Sequence, residues 1–189
     1  MYHFHILNNE LANTLKALKP FQSTEEARYY LSGVYLHIFE GELHGVATDG
    51  HTLCRTKILS EPAEDNETNE NPLEFILPSV AVDHLIKLAK DRKGGACLVD
   101  IDETAIFDFG DFKYETKPVD GSYPDYMRVI PDRTEPSSHG VQAEYLKKAI
   151  AALGGKTIDI ETPSDPYAAR ILSSSDAEGV LCLIMPKRV

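Results

Sequence analysis

One pattern constrains the fold more than any other feature, because it occurs three times along the chain. Each copy contains an amphipathic helical segment, at residues 9–19, 79–93 and 142–153, in which apolar residues recur at intervals of three and four. Proline or a pair of glycines follows each segment, and both end helices. A single helix cannot cover both faces of the strands around it, so the three units are expected to pack against one another.

Short runs typical of β-strands surround each helical segment. One extended run precedes each helix and three follow it, which predicts an α+β fold of three strand–helix–three-strand units. The preceding runs are residues 4–7, 74–77 and, with a weaker pattern, 138–141. The following runs are residues 33–39, 43–47, 52–58, 96–101, 104–109, 112–118, 157–160, 168–172 and 180–185.

The three units predict a chain made of one complete domain and one half domain. Residues 1–132 would form the complete domain of two units, 133–140 a linker, and 141–189 the third unit alone. The acidic segment 60–72, which contains asparagine and proline, is predicted to be a mobile loop between the first two units. Ser79 is predicted to cap the second helix.

Several functional classes leave no trace in this sequence. The N-terminus has neither a basic segment nor a long apolar stretch, and no run of about 18 apolar residues occurs, so we expect neither a signal peptide nor a membrane span. Three separated cysteines, Cys54, Cys97 and Cys182, are typical of buried thiols in a reduced protein. Nucleotide-binding and hydrolase motifs are absent, and the histidines lack the spacing of metal ligands. We therefore expect a cytoplasmic protein that is not an enzyme and that holds no metal or cofactor.

Charge is distributed unevenly along the chain. The formal net charge is −11, yet the three helical segments together hold eight basic and four acidic residues. In one interpretation these lysines form an ordinary solvated surface. In the other, the helices contact phosphates weakly and without reading base sequence. The basic residues predicted to face DNA in the second interpretation are Lys16, Lys19, Lys87, Lys90, Arg92, Lys93, Lys147 and Lys148.

The segment 46–56, VATDGHTLCRT, places an Asp-Gly pair between two strand-like runs. Asp49-Gly50 predicts a tight turn in which the glycine adopts a positive φ without a Cβ penalty. The segment is a tight hairpin turn with a surface histidine, an acid–base pair, or part of a surface that binds another molecule. The local sequence leaves all three alternatives open.

Four segments in a fixed order resemble the bacterial DNA polymerase III beta subunit family, the sliding clamps. The segments are ARYYLSGVYLH at 27–37, VATDGHTLCRT at 46–56, ETKPVDGSYPDYMRVIP at 115–131 and CLIMPKRV at 182–189. The resemblance covers the family's middle domain across residues 2–132 and the C-terminal half of its last domain across 138–189. It implies the DNA-clamp fold, with antiparallel sheets outside and basic helices lining a central channel for double-stranded DNA.

The resemblance also implies a hydrophobic cleft that binds short apolar peptide motifs of partner proteins. Thr52 and Tyr167 depart from the family pattern, which usually has an arginine and a smaller apolar residue there. On one side, the cleft residues would be Leu31, Thr48, Gly50, His51, Thr52, Leu53, Pro124, Arg128 and Val129. On the other side, they would be Gln142, Tyr145, Tyr167, Ala169, Leu183, Ile184, Met185 and Pro186.

The function implied by the resemblance is that of a sliding-clamp-like processivity factor. It would tether DNA polymerase or repair proteins to DNA through the peptide-binding cleft, without sequence-specific contact, and a clamp loader is a further expected partner. The family's closed ring contains twelve units, so three units per chain imply a homo-oligomer and, at four chains, a tetrameric ring. The alternative is a clamp-like adaptor or decoy that binds clamp-binding peptides without encircling DNA.

Overall fold

The residues that the structure describes form two antiparallel β-sheets with three α-helices packed against them. The structure is a computed structural model, and it describes residues 1–62, 72–131, 141–155, 157–163, 165, 168–177 and 179–186. The helices are α1 (Asn8–Leu18), α2 (Ser79–Asp91) and α3 (Ala143–Leu153). The strands are β1 (Tyr2–Leu7), β2 (Val34–Phe39), β3 (Glu42–Thr48), β4 (Thr52–Lys57), β5 (Ser60–Pro62), β6 (Glu74–Leu77), β7 (Ala96–Ile101), β8 (Ala105–Asp108), β9 (Lys113–Thr116), β10 (Asp159–Glu161), β11 (Arg170–Ser173) and β12 (Val180–Ile184).

The first two units exchange their first strands. One sheet has the order β5–β1–β7–β8–β9, so β1 of the first unit lies beside the three strands of the second unit. The other sheet has the order β10–β11–β12–β4–β3–β2–β6, in which β6 of the second unit pairs with β2 of the first. Each sheet therefore contains strands of both units, and neither unit can form its sheet alone.

The third unit continues the sheet of the first unit. Its strand β12 pairs antiparallel with β4, with Cys182 opposite Cys54 and Ile184 opposite Thr52. Strand β10 forms the edge of this seven-stranded sheet. Among the described strands, none pairs with the outer side of β10, whereas β2 and β7 each receive a strand from another unit on the corresponding side.

Helices α1 and α2 lie side by side and run in opposite directions. The Asn8 backbone N–H at the start of α1 donates to the Gly95 carbonyl beyond the end of α2 at 2.9 Å. At the other end of the pair, Lys19 forms an ion pair with Asp83. The apolar faces of these helices and the inner faces of both sheets form one continuous core, to which α3 also contributes.

Strand alternation sends neighbouring residues of the seven-stranded sheet to opposite faces. Leu172 and Ile184 point toward the helices and join the main core. Leu183 points to the outer face, where it belongs to a smaller apolar cluster that includes Tyr126. The segment after β9 supplies Tyr126 and Tyr123 to this cluster, so it covers part of the outer face.

The predicted α+β class with antiparallel sheets is confirmed, and the helices begin and end close to the predicted residues. Ser79 does not cap α2, because Pro78 occupies the N-cap position and the Ser79 hydroxyl donates instead to Gln22 Oε1 at 3.0 Å. The predicted loop at 60–72 begins with a strand, β5, which pairs with β1. Most of that loop and the whole predicted linker at 133–140 lie outside the described residues.

Candidate functional site

The described residues enclose an apolar pocket where several parts of the chain meet. It has a volume of about 160 Å³ and lies between the turn that joins β3 to β4, the segment after β9, and the neighbouring ends of β11 and β12. Most of its wall is apolar, whereas Thr48, His51 and Thr52 bring polar groups to it. The lining residues are Leu31, Thr48, Gly50, His51, Thr52, Leu53, Pro124, Asp125, Tyr126, Val129, Ala169, Leu183 and Met185.

The turn between β3 and β4 is held by the Asp49 carboxylate. Asp49 Oδ1 accepts hydrogen bonds from the backbone N–H of His51 at 3.0 Å, from the backbone N–H of Thr52 at 2.7 Å and from the Thr52 hydroxyl at 2.9 Å. Thr48 Oγ1 accepts from the Gly50 N–H at 3.1 Å and donates to the Thr52 carbonyl at 2.7 Å. Gly50 has a φ of +84°, so any side chain at this position would strain the turn.

Three contacts tie this turn to the third unit. Lys148 Nζ in α3 donates to Asp49 Oδ2 at 2.9 Å. The Tyr145 ring stacks on the His51 ring, with 5.7 Å between their centroids. The Met185 N–H, just beyond β12, donates to the His51 carbonyl at 3.2 Å. The first unit therefore provides this wall of the pocket, and the third unit holds the wall in place.

The hydrogen bonds around Asp49 also determine its charge. Burial alone would raise the pKa of Asp49, but hydrogen bonds from Lys148, Thr52 and His51 outweigh burial and hold the pKa below its usual value. The carboxylate is therefore ionised at neutral pH, which is the form that accepts all of these hydrogen bonds.

Tyr126 connects the pocket to two buried histidines. Its hydroxyl is hydrogen-bonded to His37 Nε2 at 2.9 Å, and the His37 ring stacks on Tyr35 with 4.9 Å between centroids. Burial lowers the pKa of His37 below its usual value. Burial, and after it the charge of Arg55, lowers the pKa of His44 to about 4. Both rings are therefore neutral at pH 7, and they support the pocket as uncharged groups.

Most of the residues predicted for the cleft line this pocket, but several lie elsewhere. The prediction is corrected at Ile184. This residue alternates with Leu183 and Met185 along the chain, so its side chain points to the other face of the sheet and is buried in the main core. Arg128 is exposed and pairs with Asp125 at 3.0 Å. The predicted residues outside the pocket wall are Arg128, Gln142, Tyr145, Ile184 and Pro186, and Tyr167 lies outside the described residues.

Asp125 and Tyr126 line the pocket although the sequence did not single them out. Tyr126–Val129 is a 3-10 helix, in which residues three apart lie on the same side. This geometry places Tyr126 beside the predicted residue Val129. The segment between Pro124 and Pro131 is bounded by prolines and could have been predicted to form a short helix. That prediction would have identified Tyr126 from the sequence.

Lysines of α1 and α2 flank a groove between these two helices. The groove has a volume of about 530 Å³, and Asn13, Lys90 and Lys93 contribute to its wall. Lys16 follows Asn13 by three residues and Lys87 precedes Lys90 by three, so both lie on the same faces of their helices. These four lysines are exposed, and none of them has an ion-pair partner within the described part of the chain: Lys16, Lys87, Lys90 and Lys93.

The other basic residues predicted to face DNA are engaged in ion pairs. Arg92 binds both carboxylate oxygens of Asp111, at 2.8 and 3.0 Å. Lys148 departs furthest from the prediction, because its amine is directed to Asp49 and its side chain is only 28% exposed. The remaining pairs are Lys19–Asp83 and Lys147–Glu144.

Other kinds of site find no support in the residues that the structure describes. This part of the chain contains no group of three or more histidine, cysteine, aspartate or glutamate side chains placed to hold a metal ion. Across the same residues, no helix has the length and apolar character needed to cross a membrane. Cys54, Cys97 and Cys182 are buried and free, and burial raises the pKa of Cys97 to about 12, so its thiol is unreactive at neutral pH.

Comparison with known protein sequences identifies relatives of this chain. The sequence model of the DNA polymerase III beta subunit, central domain, matches residues 5–125. A beta sliding clamp of Rickettsia bellii is 29% identical over 140 residues, which cover 69% of this chain and 34% of the relative. The chain therefore spans about a third of that relative's length.

Solved structures show the same fold. The DNA polymerase sliding clamp of Pseudomonas aeruginosa matches with a TM-score of 0.85 at 18% sequence identity, covering 100% of this chain and 67% of that one. A DNA polymerase III beta subunit sliding clamp of Bartonella birtlesii matches with a TM-score of 0.82 at 24% identity, covering 100% and 66%. The family match spans both units of the predicted complete domain, and the shared fold includes the third unit. The chain belongs to the DNA polymerase III beta subunit family of sliding clamps.

Proposed function

We propose that this chain is a sliding-clamp-like protein that holds partner proteins on double-stranded DNA, without catalysing a reaction itself. Partners such as a DNA polymerase or repair proteins would each insert a short apolar segment into the pocket. The observation that supports this most directly is the pocket itself, a concave apolar site with a few convergent polar groups. Concave sites of this kind bind apolar anchors of small ligands and peptides.

The wall of the pocket suits apolar peptide side chains. Leu31, Leu53 and Leu183 are buried in its wall, and they present fixed surfaces. Met185 and Val129 are more exposed, and a flexible methionine adapts to differently shaped ligands. Each apolar Å² that a ligand removes from water contributes about 25 cal/mol. We therefore expect leucine- and methionine-type anchors to supply most of the affinity.

The groove between α1 and α2 supports contact with DNA. Its exposed lysines have no carboxylate partner among the described residues, so they can neutralise phosphates. A lysine carries a point charge and reads no base, so this contact would be independent of base sequence and sensitive to salt. A clamp loader that places the protein on DNA is a further proposed partner.

A ligand-binding measurement tests the pocket. The Bartonella birtlesii clamp was solved bound to griselimycin, so this compound is a suitable probe. We expect griselimycin to bind the chain in isothermal titration calorimetry, and Met185→Glu to weaken binding about tenfold or more, because it places a charge in an apolar wall. Met127→Glu is the matched control, since Met127 is also 39% exposed but lies outside the pocket wall. Equal affinities of the two variants, or no binding by the wild-type chain, would contradict the proposal.

A clamp-like adaptor that binds peptides without encircling DNA is the second candidate function. Two observations favour it: the net charge is −11, and half of the predicted DNA-facing side chains are already paired with carboxylates. Retention on nicked circular DNA that is lost when the DNA is linearised would support the clamp. Griselimycin binding with no retention on circular DNA would support the adaptor.

We further propose that the chain forms a homo-oligomer through its third unit. In the same unit, Ile150 of α3 and Ile160 of β10 are 45% and 54% exposed. A second copy related by a two-fold axis would cover these apolar side chains.

Light scattering on the purified protein tests this assembly. Four chains would supply the twelve units of a closed ring, so a mass of four chains supports the tetrameric ring, and a mass of two chains supports the two-fold contact alone. Ile150→Glu combined with Ile160→Glu should shift either assembly toward the monomer, because it buries two charges at the contact. A monodisperse monomer of the wild-type chain at micromolar concentration would exclude both.

A further inference from the structure

The Lys148 amine contacts the pocket wall of another unit. Its Nζ lies 2.9 Å from Asp49 Oδ2, and the side chains of the lysine and the aspartate are only 28% and 15% exposed. An ion pair that is shielded from water interacts more strongly than an exposed one. The neighbouring lysine differs, because Lys147 pairs within α3 with Glu144 and both side chains are largely exposed.

Asp49 transmits this contact to the pocket. Its second oxygen, Oδ1, accepts hydrogen bonds from the backbone N–H groups of His51 and Thr52. These two residues and Gly50 between Asp49 and His51 line the pocket. When Lys148 fixes one oxygen of the carboxylate, the direction of the other oxygen is fixed as well. The backbone of His51 and Thr52, which donates to that oxygen, is then held in place.

The other contacts from the third unit act on the same turn. The Tyr145 ring stacks on the His51 ring, and the Met185 N–H donates to the His51 carbonyl at 3.2 Å. Of the three contacts, only the one from Lys148 carries a full charge. A single substitution removes this contact without changing the pocket wall, because the Lys148 side chain does not line the pocket.

We propose that Lys148 is a positioning residue for the pocket: through Asp49 it holds the turn at 48–52 in the shape that ligand binding requires. The wall that the first unit contributes to the pocket then has this shape only when the third unit is docked on it. This inference rests on the proposed function of the pocket, and it assigns Lys148 to ligand binding instead of to DNA.

Binding of griselimycin by the full chain and two lysine variants tests the inference. Lys148→Met keeps most of the length of the side chain but removes its charge and its donors, so we expect an affinity about tenfold lower than that of the wild type. Lys148→Arg can still donate to the carboxylate and should recover most of that loss. Backbone amide resonances of His51 and Thr52 should shift in the unbound Lys148→Met protein, because their hydrogen-bond acceptor has moved.

Lys113→Met is the matched control. Lys113 Nζ pairs with Asp108 Oδ2 in the second unit at the same 2.9 Å, and neither residue lines the pocket. The control should bind griselimycin as the wild type does. An equal loss of affinity in the control would overturn the inference, because the loss would then reflect general destabilisation.

The remaining outcomes separate the inference from the proposed function. Wild-type affinity in Lys148→Met, with binding by the wild type intact, overturns the positioning role and leaves the pocket's function standing. No binding by the wild-type chain overturns the proposed function, and the inference falls with it. DNA binding supplies a last criterion. If the salt dependence of DNA binding has a slope about one smaller in Lys148→Met than in the wild type, Lys148 contacts DNA and the inference is overturned.

Discussion

Helices α1 and α3 carry the same apolar pattern in different surroundings. The matching residues are Leu11, Leu15 and Leu18 in α1 and Leu146, Ile150 and Leu153 in α3. The middle residue is 1% exposed in α1, as Leu15, and 45% exposed in α3, as Ile150. Helix α1 packs between α2 and α3, whereas α1 is the main helix neighbour of α3. The repeat therefore encodes which face of a helix is apolar, and the neighbouring unit decides whether that face is buried.

The strands of the first two units and those of the third unit also differ in what surrounds them. In the complete pair of units, β1 and β6 are exchanged, so the first strand of each unit lies in the sheet of the other. In the third unit, β10 ends the sheet, with Asp159 and Glu161 on either side of the exposed Ile160. Two such edges paired antiparallel about Ile160 would place these like charges opposite each other, which is destabilising. A second copy is therefore expected to cover this region through side-chain packing instead of direct β10–β10 pairing.

The largest effect on stability is expected from the difference in burial between Leu15 and Ile150. Leu15→Ala should lower the free energy of unfolding by about 2–5 kcal/mol, because it leaves a cavity in a packed core. Ile150→Ala should cost less than about 1 kcal/mol in dilute protein, because much of this side chain is already in water. Urea unfolding followed by circular dichroism measures both values. A cost for Ile150→Ala that grows with protein concentration would show that a second copy covers this residue, and equal costs at high dilution would contradict the comparison.

Acid should destabilise the complete domain before it affects the third unit. The pKa of His44 is lowered to about 4 in the folded chain, from an ordinary value of 6.5, by burial and then by the charge of Arg55. The unfolded chain therefore takes up a proton first, and stability is lost as the pH falls from 6.5 toward 4. The loss is roughly 1.4 kcal/mol for each unit by which the pKa is lowered. Residues 141–189 contain no histidine, so the third unit has no such loss in this pH range.

Unfolding in urea at pH 7, 6 and 5 measures this dependence. His44→Leu should make it shallower, because a leucine side chain cannot bind a proton, while His37 would retain part of the slope through its own lowered pKa. An unchanged slope in the variant would show that His44 is not the group that limits stability in acid.

Contact with DNA should depend on lysines that have no carboxylate partner among the described residues. Lys90→Ala and Lys93→Ala each remove an exposed charge, without an ion-pair partner in the described part of the chain, from α2 or its C-terminal end. Each should therefore weaken DNA binding a few-fold and reduce the salt slope by about one. Fluorescence anisotropy with a DNA duplex at several salt concentrations gives both quantities. Lys113→Ala, in β9 and paired with Asp108, is the control and should leave the slope unchanged. A slope equally reduced in all three variants would indicate that only net charge matters.

The smallest effect is expected at the exposed ion pair between α1 and α2. Asp83→Asn removes the partner of Lys19, where both side chains are more than 40% exposed, so the free energy of unfolding should change by no more than about 1 kcal/mol. The same variant frees Lys19, which lies at the opposite end of the α1–α2 pair from the groove, and should slightly strengthen DNA binding at low salt. A stability loss of several kcal/mol would show that this pair, and not apolar packing, joins the first two helices.

Much of this description follows from local sequence patterns. The period of apolar residues predicted all three helices, and Asp49-Gly50 predicted the turn with positive φ at Gly50. The family motifs predicted the class of protein. The pocket was only partly predictable, since the resemblance selected Ile184, which strand alternation sends to the core, and omitted Tyr126, which a 3-10 helix brings to the pocket.

The sequence by itself determined which faces of the helices and strands are apolar, because the geometry of a helix or strand sets that periodicity within a few residues. Only the tertiary structure decided which residues each apolar face and each charged side chain contacts. Lys148 and Asp49 are 99 residues apart in the chain, and their ion pair exists only because β12 adds to β4 and carries α3 to the turn. The exposure of Ile150 has the same origin, because burial depends on a neighbour that no local pattern can specify.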